Sequence, residues 1–368
     1  MKKLKICLWS LALTAILLSG CSFPGSKAQG NAAEHSITLM TWNVHNLFDG
    51  KDNGNEYIEF RESAGWSVEK YLGRINSISA AIGSLNPLPD IILFQEIESE
   101  KILEDIALSI GGGYLYCHFA NNPDASLGLG ILSRIPLEEN SIHSISINYE
   151  TTPRPVLETR INFAEGAFVI FSCHWKSKTG GDDATENLRK ASARVILRRI
   201  RELWEYEPEL GIIVAGDLNV NHDEFYRRSG SIVYALLSDD PGCAQLAGFP
   251  DNGRQTDFII VSGDKPPVPV HFPLGSITLY SPWMHELENG SYFYRNSWEA
   301  IDHFLISDHF FGSTGWRYDS AAVINDPPFA NNEGKPAAYN VRTGADLSDH
   351  LPLLLTLKMA GNIQLPKS

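Results

Sequence analysis

Six short segments of this chain carry residues able to do chemistry. They are Thr41-Trp42-Asn43, Gln95-Glu96, His174-Trp175-Lys176-Ser177, Gly216-Asp217-Leu218-Asn219, Ile301-Asp302-His303 and Ser348-Asp349-His350-Leu351-Pro352. Each sets an acid, an amide or an imidazole at the edge of an apolar, β-rich run. Glu96 and Asn43 offer carboxylate and amide oxygens, the donors preferred by Mg²⁺ or Mn²⁺. A zinc site has no support, because the chain has no paired CxxC and no HExxH. In an extended segment Asp217 and Asn219, two residues apart, face the same way. A carboxylate and an amide side by side can orient a water and hold it near phosphorus. An Asx turn, with Asn221 and Asp223 nearby, is the competing reading of the same residues. Asp302 stands inside a strand-like run, where an unpaired carboxylate is expensive to bury. Pairing with His350 would satisfy it and raise the basicity of the imidazole. Together the six segments describe attack on a phosphate ester assisted by a hard metal ion.

The elements that must position these groups are short. Ile37 to Trp42, Asp90 to Phe94, Gly128 to Ile131, Val156 to Phe163 and Phe168 to Ser172 read as strands. So do Ile212 to Ala215, Phe258 to Val261, Ile301 to Ile306 and Leu351 to Leu357. Ser67 to Leu85 reads as a helix with Tyr71, Leu72, Ile75, Ile78 and Ile82 on one face. Thr185 to Leu203 reads as a helix with Arg189, Lys190, Arg194, Arg198 and Arg199 on its outer face. Glu96 could instead begin an acidic helix over Glu96–Glu104. Strands outnumber helices without regular alternation, which predicts a four-layer α/β sandwich: two packed, mostly antiparallel sheets flanked by helices.

The chain has 368 residues, 43% of them hydrophobic and 20% charged, enough to bury a sizeable core. Lys2, Lys3 and Lys5, the apolar run Ile6 to Leu18 and Leu18-Ser19-Gly20-Cys21 follow the layout of an export signal that ends in a lipidated cysteine. The expected organisation is a signal peptide over 1–20, a flexible tether over 21–36, one domain over 37–359 and a tail over 360–368. The expected location is the bacterial cell envelope, anchored through Cys21. Loss of residues 1–20, with three lysines and no acids, moves the formal charge from −14 to −17. That argues against tight nonspecific binding of nucleic acid, though a local cationic site can oppose the global field. Cys117, Cys173 and Cys243 remain, so at most one internal disulfide is possible.

In this order and over about residues 37–358, the six segments resemble the endonuclease/exonuclease/phosphatase superfamily, which includes deoxyribonuclease I, bacterial sphingomyelinases and inositol polyphosphate phosphatases. The resemblance implies that Glu96 is the principal metal ligand, with Asn43 beside it and Asp349 near the metal. It implies that Asp217 orients or activates the attacking water and that Asn219 and His174 bind phosphate oxygens. His350, paired with Asp302, would act as base or charge stabiliser. Arg154, in Thr152-Pro153-Arg154-Pro155, is a candidate phosphate clamp, and Lys176, Lys178, Arg189 and Arg194 would form a local basic rim. Ile301 before Asp302 and His303 after it depart from the Cys-Asp-Arg context of the inositol phosphatases.

The expected activity is therefore that of a membrane-tethered, Mg²⁺- or Mn²⁺-dependent phosphodiesterase, first of all a nuclease on DNA or RNA, acting as a monomer. A sphingomyelinase-like or other small phosphoester hydrolase is the second reading; Pro266 to Leu274 is the sole candidate for its exposed apolar hairpin. A binding lipoprotein that keeps the fold is the third.

Overall fold

Strand runs that are apolar at nearly every position can be buried on both faces, and these are. The computed structural model describes residues 35–147, 150–164, 166–248 and 256–359. The expected signal peptide, Cys21, most of the tether and the C-terminal tail lie outside them.

One sheet has six strands: β1 (Ser36–Leu47), β2 (Ile91–Ile97), β3 (Tyr116–Ala120), β4 (Gly128–Ser133), β17 (Trp316–Val323) and β18 (Leu353–Met359), in the order β17-β18-β1-β2-β4-β3. The other has eight: β5 (Glu138–His143), β8 (Val156–Phe163), β9 (Gly166–His174), β10 (Gly211–Asp217), β11 (Leu236–Ser238), β12 (Ile259–Ser262), β13 (Thr278–Tyr280) and β16 (Asp302–Ile306). Its order is β11-β12-β13-β16-β10-β9-β8-β5. Two short ribbons, β6 (Ser146–Ile147) with β7 (Glu150–Thr151) and β14 (Tyr292–Tyr294) with β15 (Ser297–Glu299), lie outside the sheets. The described α-helices are α1 (Val68–Gly83), α2 (Glu100–Ile110), α3 (Asp182–Tyr206), α4 (Glu224–Arg227) and α5 (Pro241–Ala247).

Alternation along the strands builds the four layers. Leu39, Ile91 and Leu93 of the first sheet meet Phe168, Ile170, Ile213 and Phe304 of the second. Their neighbours Met40, Ile92 and Phe94 point the other way, onto Ile75, Ile78 and Ile82 of α1 and Ile102 and Ile106 of α2. On the far side, Val169, Phe171, Ile212 and Val214 pack on Ile196, Leu197 and Ile200 of α3. This is the expected sandwich, and both sheets are mixed. β1 pairs in parallel with β2, β9 with β10, and β12 with both β11 and β13, while the remaining pairs of the two sheets are antiparallel.

Several expectations change in detail. Ser67 caps α1, its side chain accepting from Lys70 N, but Leu72 is exposed because Tyr71 takes the inward position. Glu96 does not start a helix; it belongs to β2, and α2 begins at Glu100. Arg189 is fully buried, tied to Asp182 and Glu186, so it is not on an outer face. Pro266 to Leu274 forms no hairpin; it is an irregular segment with Val268, Val270 and Leu274 exposed. Cys117, Cys173 and Cys243 are free thiols. Among the described residues no helix is long and apolar enough to cross a membrane.

Candidate active site

The parallel pairs decide where the polar residues go. In β1 and β2 Asn43 lies opposite Gln95, and in β9 and β10 His174 lies opposite Asp217, so each pair delivers its polar residues at the same end. β16 runs antiparallel to β10, which sets its first residue, Asp302, across from Asp217. The two sheets meet at this edge: Asn43 Nδ2 donates to Glu96 Oε1 and to Asp217 Oδ2, both at 3.1 Å.

Two of the chain's bends are strained. Glu96 has φ +64°, at a register shift where β2 leaves its partners. His45 and Asn46, in the matching shift of β1, have φ +55° and +57°. Non-glycine residues held at positive φ cost on the order of 1–3 kcal/mol each and need surrounding contacts to persist. The bend turns the Asn46 N–H onto Glu96 Oε2 at 2.8 Å. Arg74, fully buried in α1, fixes it by donating to the carbonyls of Asn46 and Val44, both at 2.6 Å, and to that of His45. Burial pushes that guanidinium down to about 9, although the charges of Glu96 and Asp349 favour its cation. Nothing in the sequence singled out Arg74, because its partners are main-chain carbonyls.

Gly216 permits the close approach of β9 and β10. Its φ is +128°, and a Cβ there would lie 2.0 Å from the Cys173 carbonyl oxygen. After Asp217 the chain turns instead of continuing extended. Asn219 has φ +53°, and its N–H donates to Asp217 Oδ1 at 2.9 Å, so the Asx turn describes this segment correctly. The Asn219 amide donates to the Trp175 carbonyl at 3.1 Å. Arg154 donates to that same carbonyl.

His350 Nδ1 stands 2.8 Å from Asp302 Oδ2, which also accepts from Ser291 Oγ at 2.6 Å. Nδ1 therefore carries a proton toward the carboxylate, and Nε2 faces Asp217 Oδ2 at 4.0 Å. The loop is pinned by Trp42 Nε1 donating to the His350 carbonyl at 3.0 Å and Ser348 Oγ donating to the Asn43 carbonyl at 2.6 Å. Tyr292 lies against the imidazole with ring centres 4.7 Å apart. Ser291 and Tyr292 had no sequence signal. They reach the site only because β14 folds beside the His350 segment.

Burial works against a charged His350, but the charge and hydrogen bond of Asp302, with Asp217 and Asp349, hold its pKa well above the ordinary value. His174 goes the other way: burial first, then Arg154, His350 and Lys176, hold its pKa well below the ordinary value. Its Nε2 lies 3.4 Å from Asp217 Oδ2 and 3.7 Å from Glu96 Oε1. Asp217 is pushed up to about 7 by burial and by Asp302, against the pull of His350, Arg154 and Asn43.

Asn43, Glu96, His174, Asp217, Asp302 and His350 thus form one connected cluster, with Asn219 and Arg154 joined to it through Trp175. Asp349 is half-buried next to His350 and adds negative charge there. The expected basic rim is not assembled. Arg189 is buried, Lys178 pairs with Glu224 and Glu299 at 2.7 and 3.1 Å, and Arg194 reaches out to Asp257.

The donor set fits a divalent cation. Donor atoms of Asp217, Asp302 and His350 lie within 4.8 Å of one another, but Asp302 and His350 satisfy each other. That leaves Asp217 of the three, with Glu96 joined to it through the Asn43 amide. For Asn43 to ligate through oxygen its amide must turn over, since Oδ1 accepts the His45 N–H at 3.0 Å.

A family model described as Endonuclease/Exonuclease/phosphatase family matches residues 40–350. Among solved structures, truncated TDP2 of Caenorhabditis elegans superposes with a TM-score of 0.51 at 12% identity, covering 88% of this chain and 97% of that one. D. rerio TDP2 complexed with single strand DNA product gives 0.50 at 15%, covering 88% and 98%. An endonuclease/exonuclease/phosphatase family protein of Bacteroides thetaiotaomicron gives 0.48 at 16%, covering 89% and 98%. At these identities the two TDP2 structures show the shared fold alone. No curated protein matches the sequence.

Proposed function

Because the chain belongs to the Endonuclease/Exonuclease/phosphatase family, we propose that it is a divalent-metal-dependent phosphodiesterase that hydrolyses DNA or RNA. One observation carries the reading: Glu96 and Asp217 are joined through the Asn43 amide at 3.1 Å on each side, with His174 Nε2 3.4 Å from Asp217 and the His350 ring held by Asp302 at 2.8 Å. Two carboxylates and an amide suit Mg²⁺ or Mn²⁺. A metal held by Glu96 and Asn43, with Asp349 near it, would supply positive charge to a phosphate oxygen.

The chain's own groups account for the rest. Asp217, with a pKa near 7, accepts a proton from the water that forms the new bond to phosphorus. His350 presents Nε2–H to a phosphoryl oxygen and offsets the charge that builds there, while Asp302 holds the ring and its tautomer. The bond from phosphorus to the leaving oxygen breaks, and that oxygen takes a proton from solvent. Asn219, oriented by the Trp175 carbonyl, supplies a donor to a remaining oxygen. The test is hydrolysis of plasmid DNA, RNA, sphingomyelin and phosphorylated inositols with Mg²⁺, Mn²⁺ or Ca²⁺. Cleavage of the nucleic acids is expected, and cleavage confined to sphingomyelin or the inositols would replace this reading.

The N-terminal segment, with its three lysines, apolar run and Leu18-Ser19-Gly20-Cys21, supports anchoring to the cell envelope by a lipid on Cys21. Mass spectrometry of the native protein should find no peptide from residues 1–20 and a lipid adduct on Cys21. An unmodified Cys21 would contradict it.

A further inference from the structure

Beside the catalytic cluster two cations stand together without a carboxylate. Arg154 precedes β8 and Lys176 follows β9, and these strands pair antiparallel with Val156 opposite Cys173, which brings the two residues to the same end. Both are half-buried. The hydrogen bonds of Arg154 and Lys176 go to neutral groups: the Trp175 carbonyl for the first, Ser177 Oγ and the Thr179 carbonyl for the second. Among the described residues neither has an ion pair. That is unusual for this neighbourhood and for a chain of charge −14, since Lys178 and Arg189 nearby are each compensated by two carboxylates. Like charges side by side in a half-buried place are unfavourable, and burial with the charges of Arg154 and Arg189 lowers the Lys176 pKa.

Arg154 and Lys176 also wall a cavity of about 400 Å³. Its other walls include Ile147 and Pro153 on one side and Leu188 and Ser192 of α3 on the other. Arg154 is close enough to His174 and Asp217 for its charge to act on both. The cavity therefore adjoins the catalytic cluster through Arg154, which shares the Trp175 carbonyl with Asn219, and its walls change from cationic to apolar.

We infer that Arg154 and Lys176 bind the phosphate next to the scissile one and that the recess walled by Ile147, Pro153 and Leu188 takes the base of that nucleotide. This rests on the phosphodiesterase reading above and narrows it to single-stranded or locally unpaired nucleic acid. A base stacked and paired in a duplex cannot enter a recess, whereas an unpaired one can be turned out and held by its faces. A lipid diester has one phosphate and would leave the two cations unmatched.

The test uses short single-stranded oligonucleotides of defined cleavage position, each carrying one uncharged methylphosphonate linkage beside the scissile phosphate, on the 5′ or the 3′ side. On one of the two sides, and not the other, kcat/KM should fall about tenfold or more, as expected for loss of a charge-assisted contact. Lys176→Gln should lose a similar factor on the all-phosphate strand and little further on the methylphosphonate strand. Lys176→Arg should restore most of it, and the loss in Lys176→Gln should be much smaller on bis(4-nitrophenyl) phosphate, which has one phosphate. An abasic nucleotide at the affected position should reproduce part of the loss, and duplex DNA should be cut more slowly than the single strand. If diesters are cleaved but neither methylphosphonate matters, or if its effect adds fully to that of Lys176→Gln, the subsite is wrong and the phosphodiesterase reading stands. If no diester is cleaved with any metal, both fall.

Discussion

His350 and Asp302, 48 residues apart in sequence, meet at 2.8 Å through Nδ1 and Oδ2, and Ser291 closes on the same carboxylate oxygen at 2.6 Å. Both residues are buried. The arrangement leaves Nε2 as the one ring atom that can reach a substrate.

Residues that act as a unit lose activity non-additively. His350→Ala should lower kcat by about 10²–10⁴-fold, the range of a group acting on the transition state. Asp302→Asn should cost less, and the double variant should match His350→Ala. Fully additive losses in folded variants would show that the residues work separately.

Much of this was legible in the sequence, because the strands are apolar runs with polar ends and the fold is a sandwich whose edge collects those ends. Asp302 needed a partner and His350 was within reach of that argument. What could not be read were contacts made by the main chain or by short loops. Arg74 serves the carbonyls of a strained bend, Trp175 orients two side chains through its carbonyl, and Ser291 depends on how a hairpin folds. The basic rim was misjudged because charge patterning along α3 does not reveal that Arg189 turns inward to Asp182 and Glu186.

Glu96 sits at φ +64° with its oxygens on Asn43 and Asn46. Glu96→Gln keeps its shape and removes its charge. Activity lost to EDTA should return with Mg²⁺ or Mn²⁺ in the native protein, and Glu96→Gln should need at least about tenfold more metal, as loss of a ligand charge implies. Equal activity of the two at limiting Mg²⁺ would remove Glu96 from the metal site.

The pH profile should have two limbs with separate owners. Below about 7 the Asp217 carboxylate protonates and activity falls. Raising the Mg²⁺ concentration should move this limb to lower pH, because a cation held close to the carboxylate favours its charged form. At high pH His350 loses its proton and activity falls again. Asp302 raises that pKa, so Asp302→Asn should shift the alkaline limb to lower pH. The linkage has a definite sign. The raised His350 pKa contributes stability fully below about 6.5, the unfolded value, and this stability is lost as pH rises through the folded pKa. Thermal melts from pH 6 upward should show that loss in the native protein and much less of it in His350→Gln.

Gly216→Ala should destabilise the fold by at least about 2 kcal/mol, since φ +128° and a Cβ 2.0 Å from the Cys173 carbonyl leave no relaxed position. Urea unfolding would measure it. A change within error would mean that β9 and β10 can separate at the site without cost.

The most direct measurement is the initial rate of phosphodiester hydrolysis by the purified protein with Mg²⁺, with EDTA, and in the His350→Ala variant, on one single-stranded DNA substrate. The account predicts cleavage with Mg²⁺, none with EDTA, and a loss of at least about 10²-fold in His350→Ala with its circular dichroism unchanged. Absence of cleavage with any divalent metal, or a rate indifferent to both EDTA and His350→Ala, would contradict it.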